Sequence, residues 1–141
     1  MNKDFHAHYH GKFVSALRWK QLDRLWLQVR QTPNDWYVYL VGQDLPTQRT
    51  DEVTFNQFID EINVLLRSEH DHDFCGIVYA DDFTDPTMVK IFDPSHLGSS
   101  CGACGYTVYP RWLLSKTPPQ ILEDTAPLPN NRRRWWQKIF K

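Results

Sequence analysis

The chain reads as an α+β protein, two amphipathic helices packed on a small, mostly antiparallel sheet. Three observations point there. Two stretches carry apolar residues at helical spacing, three short stretches are rich in β-branched and aromatic residues, and two of the latter read as an antiparallel hairpin. At 141 residues, 41% of them apolar and 14% aromatic, the chain has the length and composition of one globular domain with one core.

Phe5, Ala7 and Tyr9 alternate with Asp4, His6, His8 and His10, the period of a half-buried strand or extended arm. From about Lys12 to Gln31, Val14, Leu17, Leu22, Leu25, Trp26 and Val29 recur at helical spacing, which predicts a long helix stopped by Pro33. Trp36 to Val41 is a β-type run bounded by Asn34-Asp35 and Gly42. After a loop over 43–49, Thr50 or Thr54 caps a second helix, Thr54 with Gln57 fitting a capping box. In that helix Phe55, Phe58, Ile59, Ile62, Leu65 and Leu66 keep the i, i+3, i+4, i+7 pattern, and it ends near Glu69-His70.

Phe74 to Ala80 and Thr87 to Phe92 then form an antiparallel pair about the turn at 81–86. Asp93-Pro94 opens an irregular Gly/Cys loop that runs to Gly105. Tyr106 to Tyr109 is a short strand candidate, and Trp112-Leu113-Leu114 packs back on the sheet. Pro118, Pro119, Pro127 and Pro129 mark 117–131 as a Pro-rich linker, and 132–141 is a basic tail long enough for one short helix. The domain therefore covers 1–116.

Charge is divided unevenly. The net value of −1 hides a tail in which Arg132, Arg133, Arg134, Lys138 and Lys141 meet no acid, while residues 1–129 carry eleven basic residues against all 17 acids. An acidic body is no nucleic-acid platform, whereas the tail can meet an anionic surface. No apolar run spans a membrane, and the N-terminus lacks the apolar stretch of a secretory signal, so a reducing cytoplasmic setting is expected. Three cysteines there are expected as thiols or metal ligands.

The motif that implies chemistry is Cys101-Gly102-Ala103-Cys104-Gly105. Its spacing resembles a zinc knuckle over five residues: two thiolates with glycines that permit the tight turn. A closed tetrahedral site needs two further ligands. His96 and Cys75 come first, with His70, His72 or the knuckle of a second subunit in a homodimer as alternatives. The spacing is also that of thioredoxin-type sites, but those open a helix, and Gly105 to Pro110 reads as strand and turn. Two ordinary thiols in a glycine loop remain the third reading.

Other clusters carry weaker signals. His6, His8 and His10 share one face of a strand that would hold copper, nickel or zinc loosely; a solvated strand face is the plainer reading. Glu69 to Asp73 and the turn with Asp81, Asp82 and Asp85 read as solvated charged turns, the latter without the ligand spacing of a calcium loop. No phosphate loop, nucleophile elbow or H-E-x-x-H is present.

In the tail, Arg132, Arg133, Arg134, Trp135, Trp136, Lys138 and Phe140 are the candidate contact residues. On a helix, Trp135, Trp136, Ile139 and Phe140 form one apolar face, suited to a protein partner, the chain's own body or the inner face of a membrane; single-stranded nucleic acid is disfavoured on so short a platform. The expectation is a small cytoplasmic accessory protein without catalysis, holding structural zinc at the knuckle and docking through the tail. A metal-free adaptor and a thiol-dependent enzyme are the alternatives.

Overall fold

A computed structural model of the chain describes residues 5–70, 72–94, 109–122 and 129–140. In chain order these form α1 (Phe5–Tyr9), β1 (Val14–Ser15), α2 (Trp19–Val29), β2 (Tyr37–Leu40), α3 (Glu52–Glu69), β3 (Val78–Ala80), β4 (Met88–Ile91), β5 (Trp112–Ser115) and α4 (Asn130–Ile139). The five strands make one sheet of order β1-β3-β4-β5-β2, with every neighbouring pair antiparallel. The α+β class is therefore observed.

Pleating sends alternate side chains to opposite faces, and each face has its own cluster. Val38, Leu40, Val78, Ala80, Val89, Ile91, Trp112 and Leu114 meet the apolar stripes of α2 and α3 and the end of α4. Tyr39, Met88 and Leu113 face the other way, against Phe5 and Tyr9 of α1 and against Leu122. Strands covered on both sides need apolar residues at successive positions, so β2 and Trp112-Leu113-Leu114 of β5 are unbroken runs.

Three elements differ from the sequence reading. Phe5 to Tyr9 is helical, not extended. Phe5 and Tyr9 lie at i and i+4, a spacing both periods permit, and exposed Ala7 tells them apart. The long helix expected from Lys12 starts only at Trp19. Ahead of it, β1 adds to the sheet edge and the Ala16 N–H donates to the Val78 carbonyl at 2.8 Å. The Gln21 side chain reaches back to the Arg18 N–H at 2.8 Å and fixes the new start. The α3 cap is Asp51, whose carboxylate accepts from the Thr54 N–H. The Thr54 hydroxyl first, and then its N–H, hold the Asp51 carboxyl below its ordinary value.

Trp26 and Trp36 are core residues whose indole N–H groups are satisfied. Trp36 donates to the Val29 carbonyl at 3.1 Å and stacks on Phe55, and Trp26 donates to Asn63 at 3.1 Å. Gly76, at φ +68°, supplies the left-handed turn between Cys75, whose N–H bonds to Leu17, and the start of β3. No described helix is long and apolar enough to cross a membrane.

Candidate functional site

The C-terminal basic segment is a folded element that divides its residues between inside and outside. In α4, Trp135 meets Phe58 at 6.0 Å and Trp112 at 5.6 Å between ring centroids, Trp136 and Phe140 also meet Phe58, and Ile139 is buried in the larger core. Arg132 is 3% exposed. Its Nε and Nη2 donate to the two Asp93 oxygens at 2.9 and 3.0 Å, and its Nη1 and Nη2 donate to Glu69 at 3.0 and 2.5 Å. Asp93, itself buried, also accepts from Arg111 Nε at 3.3 Å. Burial alone would weaken the Arg132 charge, but the two carboxylates outweigh it and hold the guanidinium above its ordinary value. Arg133, Arg134 and Lys138 remain exposed.

This ion cluster stands where β4 leaves the sheet and β5 enters it. The Phe92 N–H bonds to Ile77 and the Arg111 N–H to Ile91, so Asp93 and Arg111 are the two feet of the connection that contains the C-x-x-C. On the other side of β3, Cys75 precedes the Gly76 turn and its N–H bonds to the Leu17 carbonyl. His70 stands beside it, its Nε2 at 2.8 Å from the Cys75 carbonyl, and its ring meets His72 at 4.5 Å.

Of the expected metal ligands, Cys101, Cys104 and His96 lie outside the described residues. Cys75 is a free, buried cysteine that belongs to the larger apolar cluster, and burial pushes its thiol above the ordinary value, away from the thiolate that metal binding requires. Among the described residues no group of three or more His, Cys, Asp or Glu side chains is placed to hold a metal ion. The Tyr106 to Tyr109 strand candidate falls mostly outside the described residues as well.

A second polar cluster joins α1 to the β3–β4 turn. His8 Nε2 lies 2.9 Å from Asp81 Oδ2, and the Thr87 hydroxyl donates to the same oxygen. Asp81 Oδ1 accepts from the N–H groups of Asp82, Thr87 and Met88 at 2.9–3.1 Å. These bonds outweigh the cost of burial and hold the Asp81 carboxyl below its ordinary value. Acid, imidazole and hydroxyl do not make a nucleophilic triad here. One nitrogen, Nε2, faces both Asp81 and Thr87, whereas a triad needs the acid on one ring nitrogen and the hydroxyl on the other. The cluster is a turn clasp. Asp82 is used similarly, accepting from Thr84 and Asp85, so the acidic turn serves its own backbone.

Beside the clasp, Lys90 Nζ sits 4.0 Å from the Tyr9 ring centroid and 3.9 Å from that of Phe13. Burial lowers its pKa to about 8, and the two ring faces work against that shift by favouring the cation.

The chain matches no family model, no curated protein and no solved structure. Sequence reasoning missed Asp93 and Glu69 as partners of Arg132, and Arg111 as a second cation on Asp93. The available signal was that Asp93 and Arg111 each directly adjoin an apolar run that becomes a strand, where a charged side chain needs a partner on folding. It also missed His8 with Asp81, which nothing in their spacing links.

Proposed function

We propose that the chain is a single-domain, non-catalytic binding protein that meets an acidic protein partner through the outer face of α4. The observation that carries this reading is the division of labour within that helix. The apolar residues and Arg132 are committed to the chain's own body, and Arg133, Arg134 and Lys138 project outward without acid partners among the described ion pairs. Three cations on a rigid helix suit a carboxylate-rich surface. A membrane is the weaker fit because Trp135 and Trp136, the residues that would enter the headgroup layer, rest on Phe58 and Trp112.

Within the same reading, Cys101 and Cys104 hold zinc, with His96 as the third ligand and exposed His72 a better fourth than Cys75. What supports this is the length of the connection between paired strands, from Phe92 to Arg111, which exceeds what an unstapled loop normally spans. We place the chain in a reducing, cytoplasmic setting, where free thiols persist.

The test is binding of a fluorescent glutamate-rich peptide, in parallel with phosphatidylserine vesicles and a single-stranded oligonucleotide, by wild type and by an R133E/R134E/K138E variant. Peptide binding that falls with salt and vanishes in the folded variant supports the reading. Binding only to vesicles, only to the oligonucleotide or to none of the three overturns it. Metal analysis of chelator-free protein decides the zinc separately: near-stoichiometric zinc sustains it, and metal-free protein removes it.

A further inference from the structure

The two edges of the sheet differ. At the β2 edge, Val38 shares a cleft with residues of the 44–51 segment and with Trp136, Ile139 and Phe140 of α4. At the β1 edge no strand among the described residues pairs further. Val14 pairs with Ala80 on β3, and the Ala16 N–H donates to the Val78 carbonyl at 2.8 Å. Bonding alternates along an antiparallel ladder, so the N–H and C=O of Ser15, between those two residues, face the open edge. Neither has a partner among the described residues. Val14 and Ser15 line a cleft of about 610 Å³, walled on one side by Arg24 and Leu27 of α2 and on the other by Phe83 of the β3–β4 turn. Val14 is 57% and Leu27 65% exposed, so large apolar side chains stand beside unpaired backbone.

We propose that this cleft binds an extended peptide segment of a protein partner, added as a further strand beside β1. An open edge is a template for such pairing, in which main-chain hydrogen bonds give affinity and the walls select side chains. Val14 shares the face of Ala16, which belongs to the cluster under α2 and α3, so every second side chain of the peptide turns toward α2. There Leu27 suits an apolar residue. Arg24, exposed and in no ion pair among the described residues, suits a carboxylate. Gln21 and Gln28 mark the ends of the α2 wall, about 10 Å apart along the helix, the reach of about three extended residues. A second copy of the chain is the poorer occupant, since its own β1 offers a strand of only two residues. The cleft shares no residue with α4, and the proposal is independent of the partner assigned to that helix.

Amide spectra of the protein, titrated with a panel of capped hexapeptides in which threonine alternates with valine, leucine, phenylalanine or glutamate, test it. Saturable shifts of the Ser15 amide are expected, with the tightest binding by peptides that carry one glutamate among apolar residues on the facing side. Affinity is expected to fall about tenfold or more in Leu27→Lys and in Arg24→Glu, and on N-methylation of the peptide backbone. Both substitutions fall at exposed positions of α2, so the folded spectrum is kept. Unchanged affinity in R133E/R134E/K138E separates this cleft from the α4 surface. Absence of saturable shifts at Ser15 with every peptide overturns the proposal. So does an affinity that ignores both Leu27→Lys and N-methylation, or Ser15 shifts that follow protein concentration alone, the mark of self-association.

Discussion

Arg132 and Asp93 stand 39 residues apart in sequence and are joined in the interior by two parallel hydrogen bonds, Nε to Oδ2 at 2.9 Å and Nη2 to Oδ1 at 3.0 Å. The pair ties the C-terminal helix to the end of β4, and Glu69 ties it to the end of α3. A buried pair is no great source of stability while intact, but removing Arg132 takes from buried Asp93 its two shortest described hydrogen bonds and leaves it the longer contact with Arg111. Arg132→Ala is therefore expected to cost about 3–5 kcal/mol in chemical denaturation. Arg132→Lys recovers little of it, because an ammonium cannot serve two carboxylates with the same planar fork. Arg133→Ala, one residue on and exposed, is expected within about 0.5 kcal/mol of wild type. Equal effects at 132 and 133 would refute the division of α4 into an inner and an outer face.

Asp81 makes stability depend on acid pH. Its folded pKa lies below the ordinary value, so between the two values the unfolded chain binds more protons than the folded one. The contribution is fully present above about pH 4 and is lost as pH falls through the folded pKa. Subtracting the Asp81→Asn profile from that of wild type isolates this slope, and a flat difference from pH 6 to pH 2 would refute the clasp. Asp81→Ala is expected to cost about 1–3 kcal/mol at neutral pH, because it strands the N–H groups of Thr87 and Met88.

Lys90 gives the opposite end of the pH scale. Its folded pKa is about 8, against about 10.4 for a free lysine, so the unfolded chain again binds more protons between those values. Stability attributable to this residue rises as pH climbs from about 8 to about 10.4 and is level below 8. The wild-type minus Lys90→Met difference isolates it. Direct titration of the Lys90 ammonium by NMR gives the balance of burial against the Tyr9 and Phe13 rings. A titration near 10.4 would mean that the rings prevail.

Helix α3 and strand β2 were legible because their signals are local. Six apolar residues from Phe55 to Leu66 keep helical register, and Trp36 to Val41 is an unbroken β-type run. The N-terminal region was misread for want of length. Five residues from Phe5 to Tyr9 satisfy both periods, and only packing against Tyr39, Met88 and Leu113 decides between them. The tail composition was read correctly but its partner was not, since Arg132 finds Asp93 and Glu69 across 39 and 63 residues. Pairings of that range follow from topology, which composition and spacing do not carry. The same limit hid His8 and Asp81, 73 residues apart.

The three thiols should separate by reactivity. Cys75 is 2% exposed, belongs to the larger apolar cluster, and has a thiol raised by burial, so it is expected to resist a disulfide reagent until the protein unfolds. Cys75→Ser puts a hydroxyl into that apolar cluster and is expected to cost about 1–3 kcal/mol. Native protein as purified should then titrate either no thiols or two. No reactive thiol before chelation and two after it would match zinc at Cys101 and Cys104; two reactive thiols throughout would leave the knuckle empty. Three reactive thiols in folded protein would contradict the burial of Cys75.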